Sequence, residues 1–84
     1  MTNEEILKTA LEARWTDAIE ARKRAIYVQD LDAQKTFLYA EGIAIGFRSC
    51  CYIALSHSGM PTFEVITKVD GWTKAIELMY GMTL

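Results

Sequence analysis

The chain has 84 residues, with nine basic and eleven acidic side chains and a formal net charge of −2 at pH 7. One core of this size supplies only about 3 to 5 kcal/mol of net stability, so residues 1–84 are expected to form a single domain that gains from contact with a partner. The pI near 5.3 excludes an overall charge that attracts nucleic acid or anionic lipid.

Two features predict a cytoplasmic protein. Residues 1–5 lead directly into an acidic helix start and lack the basic and apolar regions of a signal peptide. Cys50 and Cys51 are adjacent, and neighbours in a helix point about 100° apart, so an intrachain disulfide is not expected. Two free thiols fit a reducing compartment.

A membrane span is not expected, although residues 37–55 are strongly apolar. Such a span would bury Glu41 and Arg48, at a cost of roughly 2.5 to 3.5 kcal/mol for each charge. The sequence therefore predicts no contact with a membrane.

The first predicted helix covers residues 3–29. Thr2 and Glu5 match a capping box, and Asn3 is the other candidate N-cap. The apolar residues that recur at helical spacing are Ile6, Leu7, Ala10, Leu11, Ala18, Ile19, Ala25 and Ile26.

Four-residue spacing also predicts ion pairs within helices. In the first predicted helix these are Glu4 with Lys8 and Glu20 with Arg24. In the third predicted helix, described below, they are Glu64 with Lys68 and Asp70 with Lys74.

The second predicted helix covers residues 33–56 and follows a new N-cap within residues 30–32. Its polar stripe of Gln34, Glu41 and Arg48 has seven-residue spacing, which a strand would place on both faces. The alternative is a β-hairpin within residues 42–55. That hairpin lacks a turn signal between its two apolar runs.

The third predicted helix covers residues 62–82, after a break that contains Gly59 and Pro61. Asp70 and Gly71 are expected to bend or divide it. The alternative is a strand over residues 63–69, which are rich in β-branched side chains.

These elements predict an all-α fold: a helical hairpin plus a third, possibly broken helix, assembled into an oligomeric bundle. An α+β fold with short strands around residues 62–69 is the alternative. The apolar content of 51 % suggests that a second copy covers part of the surface.

A column of small residues, Gly42, Gly46, Cys50 and Ala54, marks one face of the second helix. Small side chains at four-residue spacing let another backbone approach closely. The column is therefore expected to pack against another helix, either of the same chain or of a second copy in a homodimer.

No catalytic residues, metal site or cofactor are expected. His57 is the only histidine, so with Cys50 and Cys51 it offers too few ligands for zinc. A thiol buried within an apolar helix is inert, and the sequence has no phosphate-binding glycine loop. A small catalytic or ligand-binding pocket near Cys50 and His57 is the weakest of three functional hypotheses.

The leading hypothesis is a non-enzymatic protein that binds another protein, as a regulator, inhibitor or assembly factor of the size common among bacterial and phage products. The expected exposed contacts are Arg14, Trp15, Arg22, Lys23 and Arg24, because arginine and tryptophan often anchor interfaces. For Trp15 a core position is the alternative. A nucleic-acid-binding accessory protein that uses the same basic cluster is the second functional hypothesis.

Overall fold

The structure, a computed structural model, describes residues 2–84 as three α-helices joined by short turns. Helix α1 is Asn3–Val28, α2 is Leu31–His57 and α3 is Thr62–Tyr80. The described chain is 87 % helical and contains no strand. The predicted all-α, three-helix fold is confirmed, and both strand alternatives, over residues 42–55 and 62–69, are wrong.

The predicted signals begin the first two helices. The Thr2 side chain accepts a hydrogen bond from the Glu5 backbone N–H at 3.2 Å. Asp30 is the N-cap of α2, where its carboxylate accepts from the Ala33 N–H at 2.7 Å, so the helix begins at Leu31, two residues before the predicted start. Between these helices Gln29 adopts a left-handed conformation, with φ of 54°, and ends α1.

Helix α3 continues through Asp70 and Gly71, so the expected division of this helix is wrong. Val69 and Thr73 lie on either side of the glycine and are both buried. The Thr73 hydroxyl also donates to the Asp70 carbonyl at 3.1 Å. Packing on both sides outweighs the cost of about 1 kcal/mol for a helix-interior glycine.

Polar contacts between helices fix the topology. α2 runs antiparallel to α1, and α3 runs parallel to α1. At one end of α3 the Lys68 ammonium lies 2.7 Å from the Glu4 carboxylate of α1. Towards the other end the Tyr80 hydroxyl donates to Glu20 at 3.1 Å.

Of the ion pairs predicted along the helices, only Lys68 with Glu64, at 3.7 Å, lies within 4.0 Å in the described part of the chain. Asp70, predicted to pair with Lys74, instead accepts a hydrogen bond from the Tyr52 hydroxyl of α2. Contacts between helices have therefore replaced several of those expected within one helix.

The core lies where all three helices meet. Its largest fully buried side chains are Leu11, Ile19, Cys51, Val65 and Val69. They come from all three helices, so one cluster holds the bundle together.

Helix α3 is shorter than its neighbours, with 19 residues against 26 in α1 and 27 in α2. It ends near Glu20 of α1, as the contact of Tyr80 shows. Beyond it, Arg22 donates to the carbonyl of Thr83 in the C-terminal tail. The last turn of α1 and the first turns of α2 therefore project past the third helix.

Candidate protein-binding surfaces

The projecting end of the α1–α2 hairpin exposes four large apolar side chains. Ile26 is 52 % exposed, Tyr27 80 %, Val28 53 % and Leu31 69 %. We call these four residues the hairpin end. Ile26 follows the apolar spacing of α1, yet it is exposed because α3 has already ended at this level. Several large apolar side chains exposed at one end of a molecule mark an interaction site more often than a single one does.

Charges of both signs lie beside the hairpin end. A groove of about 230 Å³ between α1 and α2 is lined by Arg24, Asp30 and Asp32, together with Val28 of the hairpin end. Lys23, one residue before Arg24, is also exposed. Apolar side chains bordered by mixed charges are typical of a surface that binds protein.

The five residues expected to contact a partner do not form one surface. Trp15 is 2 % exposed and belongs to the core, which corrects its interpretation as an exposed contact. Its ring fills the space between the helices, where apolar burial favours it most.

Arg14 is half-buried, with its guanidinium carbon 4.3 Å from the centre of the Phe47 ring. It also donates to the Ala10 carbonyl at 3.1 Å. Arg22 is half-buried against the tail, which leaves Lys23 and Arg24 as the exposed members of the set.

The outer face of α2 is a second apolar surface. We use this name for Tyr39, Gly42, Ile43, Gly46, Ser49, Cys50, Ile53 and Ala54, all of which are exposed. Between Lys35 and His57 the helix carries two charged residues, Glu41 and Arg48. Both are half-buried on the side that faces the bundle. The outer face is therefore free of charge over about six helical turns.

The small-residue column lies on this outer face and does not pack within the chain. A Cβ atom built at Gly42 or Gly46 meets no other atom within 4 Å. The interpretation that α1 or α3 packs on the column is thus wrong for this chain, and the interpretation as a contact with a second copy stays a prediction. A helix-interior glycine costs roughly 0.5 to 1 kcal/mol relative to alanine, and no contact within the chain offsets that cost here.

By length and composition alone, α2 is also long and apolar enough to cross a membrane. Apolar residues on the exposed outer face of α2 and on its buried face both contribute to this apolar composition. Within the bundle, 17 % of its most apolar 18-residue window is buried.

The two thiols have different environments. Cys50 is exposed on the outer face of α2, whereas Cys51 is buried in the core. Burial raises the pKa of Cys51 to about 11. A thiol that stays protonated at neutral pH is a poor nucleophile and a poor metal ligand.

The described residues hold no cluster of three or more His, Cys, Asp or Glu side chains suited to a metal. A cavity of about 500 Å³ lies where α1 begins and α2 ends, lined by Thr2, Asn3, Glu4, Ile6, Leu7, Ala54, Leu55, Ser58 and Met60. Its described lining has one ionisable side chain, Glu4, which is already paired with Lys68. The residues of the lining that the structure describes therefore offer no acid–base pair.

Comparison with protein-family models, with curated proteins and with solved structures finds no match to this chain.

The sequence predicted the basic residues near the hairpin end as contacts but did not indicate Val28 and Leu31 beside them. One sequence feature could have indicated that Val28 and Leu31 are exposed: the first two predicted helices are longer than the third.

Proposed function

We propose that the protein is a non-enzymatic regulator, inhibitor or assembly factor that binds another protein through the hairpin end. The observation that carries this proposal is the exposure of Tyr27, at 80 %, and Leu31, at 69 %, beyond the end of α3. Aromatic and large apolar side chains of this kind supply most of the binding energy at protein interfaces.

The setting of these residues supports a protein as the partner. Arg24, Asp30 and Asp32 lie together in the adjoining groove, so the surface can accept a partner with charges of either sign around an apolar centre. The expected partner presents an apolar strip with charged residues at its edges.

Nucleic acid fits this end less well. Arg22 donates to the carbonyl of Thr83, so Lys23 and Arg24 are the two exposed cations left for a phosphate backbone. The carboxylates of Asp30 and Asp32 lie beside Arg24 and repel phosphate.

The absence of an acid–base pair in the described lining of the 500 Å³ cavity, and the raised pKa of Cys51, support a role other than catalysis. Binding at an exposed end needs neither feature. The geometry of the bundle leaves that end accessible.

The test is capture of partners from an extract of the source cells, followed by measurement of the mass of the purified complex. The double variant Tyr27→Lys with Leu31→Lys is compared with Phe63→Lys as a matched control. Phe63 is also exposed, at 83 %, but lies at the opposite end of the bundle. We expect a stoichiometric protein partner that is kept by the control and bound at least tenfold more weakly by the double variant.

Two results would overturn the proposal. One is a partner that both variants retain equally, or no stoichiometric partner at all. The other is a bound species that nuclease releases and that moderate salt dissociates steeply, which would establish nucleic-acid binding instead.

A further inference from the structure

We propose that the outer face of α2 binds the same face of a second copy of this chain, so that two α2 helices cross antiparallel at Gly46. This interface lies on a different surface from the hairpin end and does not depend on the function proposed for that end. Three observations support a second copy as the occupant.

The first observation is the absence of charge. No charged side chain lies on the outer face between Lys35 and His57, and large apolar residues are exposed on it, with Tyr39 at 75 %, Ile43 at 45 % and Ile53 at 60 %. A charged partner would leave its own charges without counterparts here. A second copy of the same face brings no charge to the interface.

The second observation is the symmetry of the face. The uncharged part of the outer face extends over residues 36–56, and its midpoint is Gly46. An antiparallel crossing at this point places Gly46 against Gly46 of the partner copy and Gly42 against the partner copy's Cys50. Tyr39 then lies opposite the partner copy's Ile53. Small residues meet where the axes are closest, and large ones meet where the helices diverge.

Antiparallel packing also separates like charges. A parallel pair would place Lys35 beside Lys35 of the partner copy and would align the two helix dipoles. In the antiparallel pair Lys35 lies near the partner copy's His57, and the positive end of each dipole lies near the negative end of the other.

The third observation is the amount of surface left uncovered. A monomer of 9.5 kDa is expected to expose about 5,000 Å². This chain exposes 5555 Å². Among the described residues, fifteen large hydrophobic side chains are exposed whereas eleven hydrophobic residues are buried. A second copy on α2 covers several of the fifteen.

The face measures about 30 Å along the helix and about 10 Å across it. The resulting area of about 300 Å² is smaller than the ~800 Å² per partner of a standard interface, so the dimer is expected to be weak, with a Kd of about 0.1 to 1 mM.

The first test is sedimentation equilibrium of the whole chain from about 10 μM to about 1 mM. We expect the mass to rise from 9.5 kDa towards twice that value. Gly46→Leu should raise the Kd at least tenfold. Gly71→Leu is the matched control, because Gly71 is also exposed within a helix and has no atom within 4 Å of its Cβ position. Helical circular dichroism establishes that both variants fold.

The second test determines the direction of the two helices and does not require a bulky substitution. In the antiparallel pair the two Cys50 residues lie about 12 Å apart along the axes, too far for a disulfide. Oxidation should therefore leave the wild type without cross-links, whereas Gly46→Cys in a Cys50→Ser background should form a disulfide-linked dimer. Cys51 is buried and does not compete.

Each of the following results would overturn the proposal. The wild type keeps the mass of one chain up to about 1 mM, or the two leucine variants weaken association equally. Oxidised wild type forms a dimer through Cys50, which would establish a parallel pair, or the thiol introduced by Gly46→Cys fails to form a disulfide. The wild type floats with phosphatidylcholine–phosphatidylglycerol vesicles, which would establish a membrane as the occupant.

Discussion

The guanidinium carbon of Arg48 lies 5.2 Å from the centre of the Trp15 ring. Within the described chain, the ring N–H of Trp15 and the Nε–H of Arg48 are both buried and have no hydrogen-bond partner. A cation over an aromatic face is attracted by the ring, which offsets part of the cost of burying these groups. The pair joins α1 to α2 inside the bundle.

Trp15→Ala is expected to unfold the protein at room temperature. Loss of a buried tryptophan costs about 3 to 5 kcal/mol, which is as large as the net stability of a domain of this size. Trp15→Phe keeps an aromatic face under Arg48 and removes the N–H that lacks a partner, so it should cost less. Urea denaturation followed by circular dichroism measures both. An alanine variant as stable as the wild type would contradict the core position of Trp15.

The buried thiol of Cys51 should make the protein less stable at alkaline pH. Its pKa is raised from 9.0 to about 11, so between these values the unfolded chain has lost a proton that the folded chain keeps. The free energy of unfolding therefore falls as the pH rises from 9 to 11, by about 2 kcal/mol.

Urea denaturation at pH 8 and at pH 10.5 measures this loss. Cys51→Ala should flatten the pH dependence in this range, whereas Cys50→Ser should keep most of it, because burial is the main cause of the raised Cys51 pKa and the nearby Cys50 adds less. Equal slopes for the wild type and Cys51→Ala would contradict the prediction. The Tyr52 pKa is raised from 10.0 to about 12, mainly by burial and by its hydrogen bond to Asp70, so its contribution falls between these values and adds to the slope at pH 10.5 in the wild type and in both variants.

The two caps with a left-handed backbone should respond to substitution in opposite directions. Gln29 ends α1 with φ of 54°, and Gly81 ends α3 with φ of 65°. Gln29→Gly relieves the strain of a side chain in this conformation and should raise the stability by about 0.5 to 1 kcal/mol. Gly81→Ala introduces that strain and should lower it by a similar amount. Thermal denaturation of the two variants tests the signs, and a lower Tm for Gln29→Gly would refute the argument.

The N-cap of α2 should depend on Asp30 and not on the nearby Asp32. Asp30 accepts the Ala33 N–H, whereas Asp32 lies inside the first turn. Asp30→Ala should cost about 1 kcal/mol, and Asp32→Ala only a few tenths. Chemical denaturation of both variants provides the comparison. Equal losses would show that the charge of these carboxylates matters and the hydrogen bond does not.

Local signals predicted the helices well. Thr2 begins α1 as expected, and Asp30 begins α2 within the predicted segment 30–32, because a capping side chain needs only its own neighbours in sequence. Helix α2 itself starts two residues before the predicted residue 33. The break expected at Gly71 was wrong, because packing of Val69 and Thr73 against the other helices is not visible in local sequence.

The surfaces were harder to predict. The helical spacing of Ile26 indicates burial, and only the end point of α3 shows why this side chain is exposed. Trp15 was proposed both as a contact and as a core residue, since its position at the margin of the apolar stripe fits either. The small-residue column was recognised from its spacing, but no local rule could say whether α1, α3 or a second copy faces it.

The short α3 also divides the molecule by how easily its backbone opens. Residues 11–19 of α1 lie within the three-helix core, so their amide hydrogens should exchange with solvent only when the whole domain unfolds. Residues 23–28 are supported by α2 alone and should exchange much faster, by fraying. The end proposed to bind a partner is thus the end that can adjust its shape, and its amide hydrogens should slow most when a partner binds.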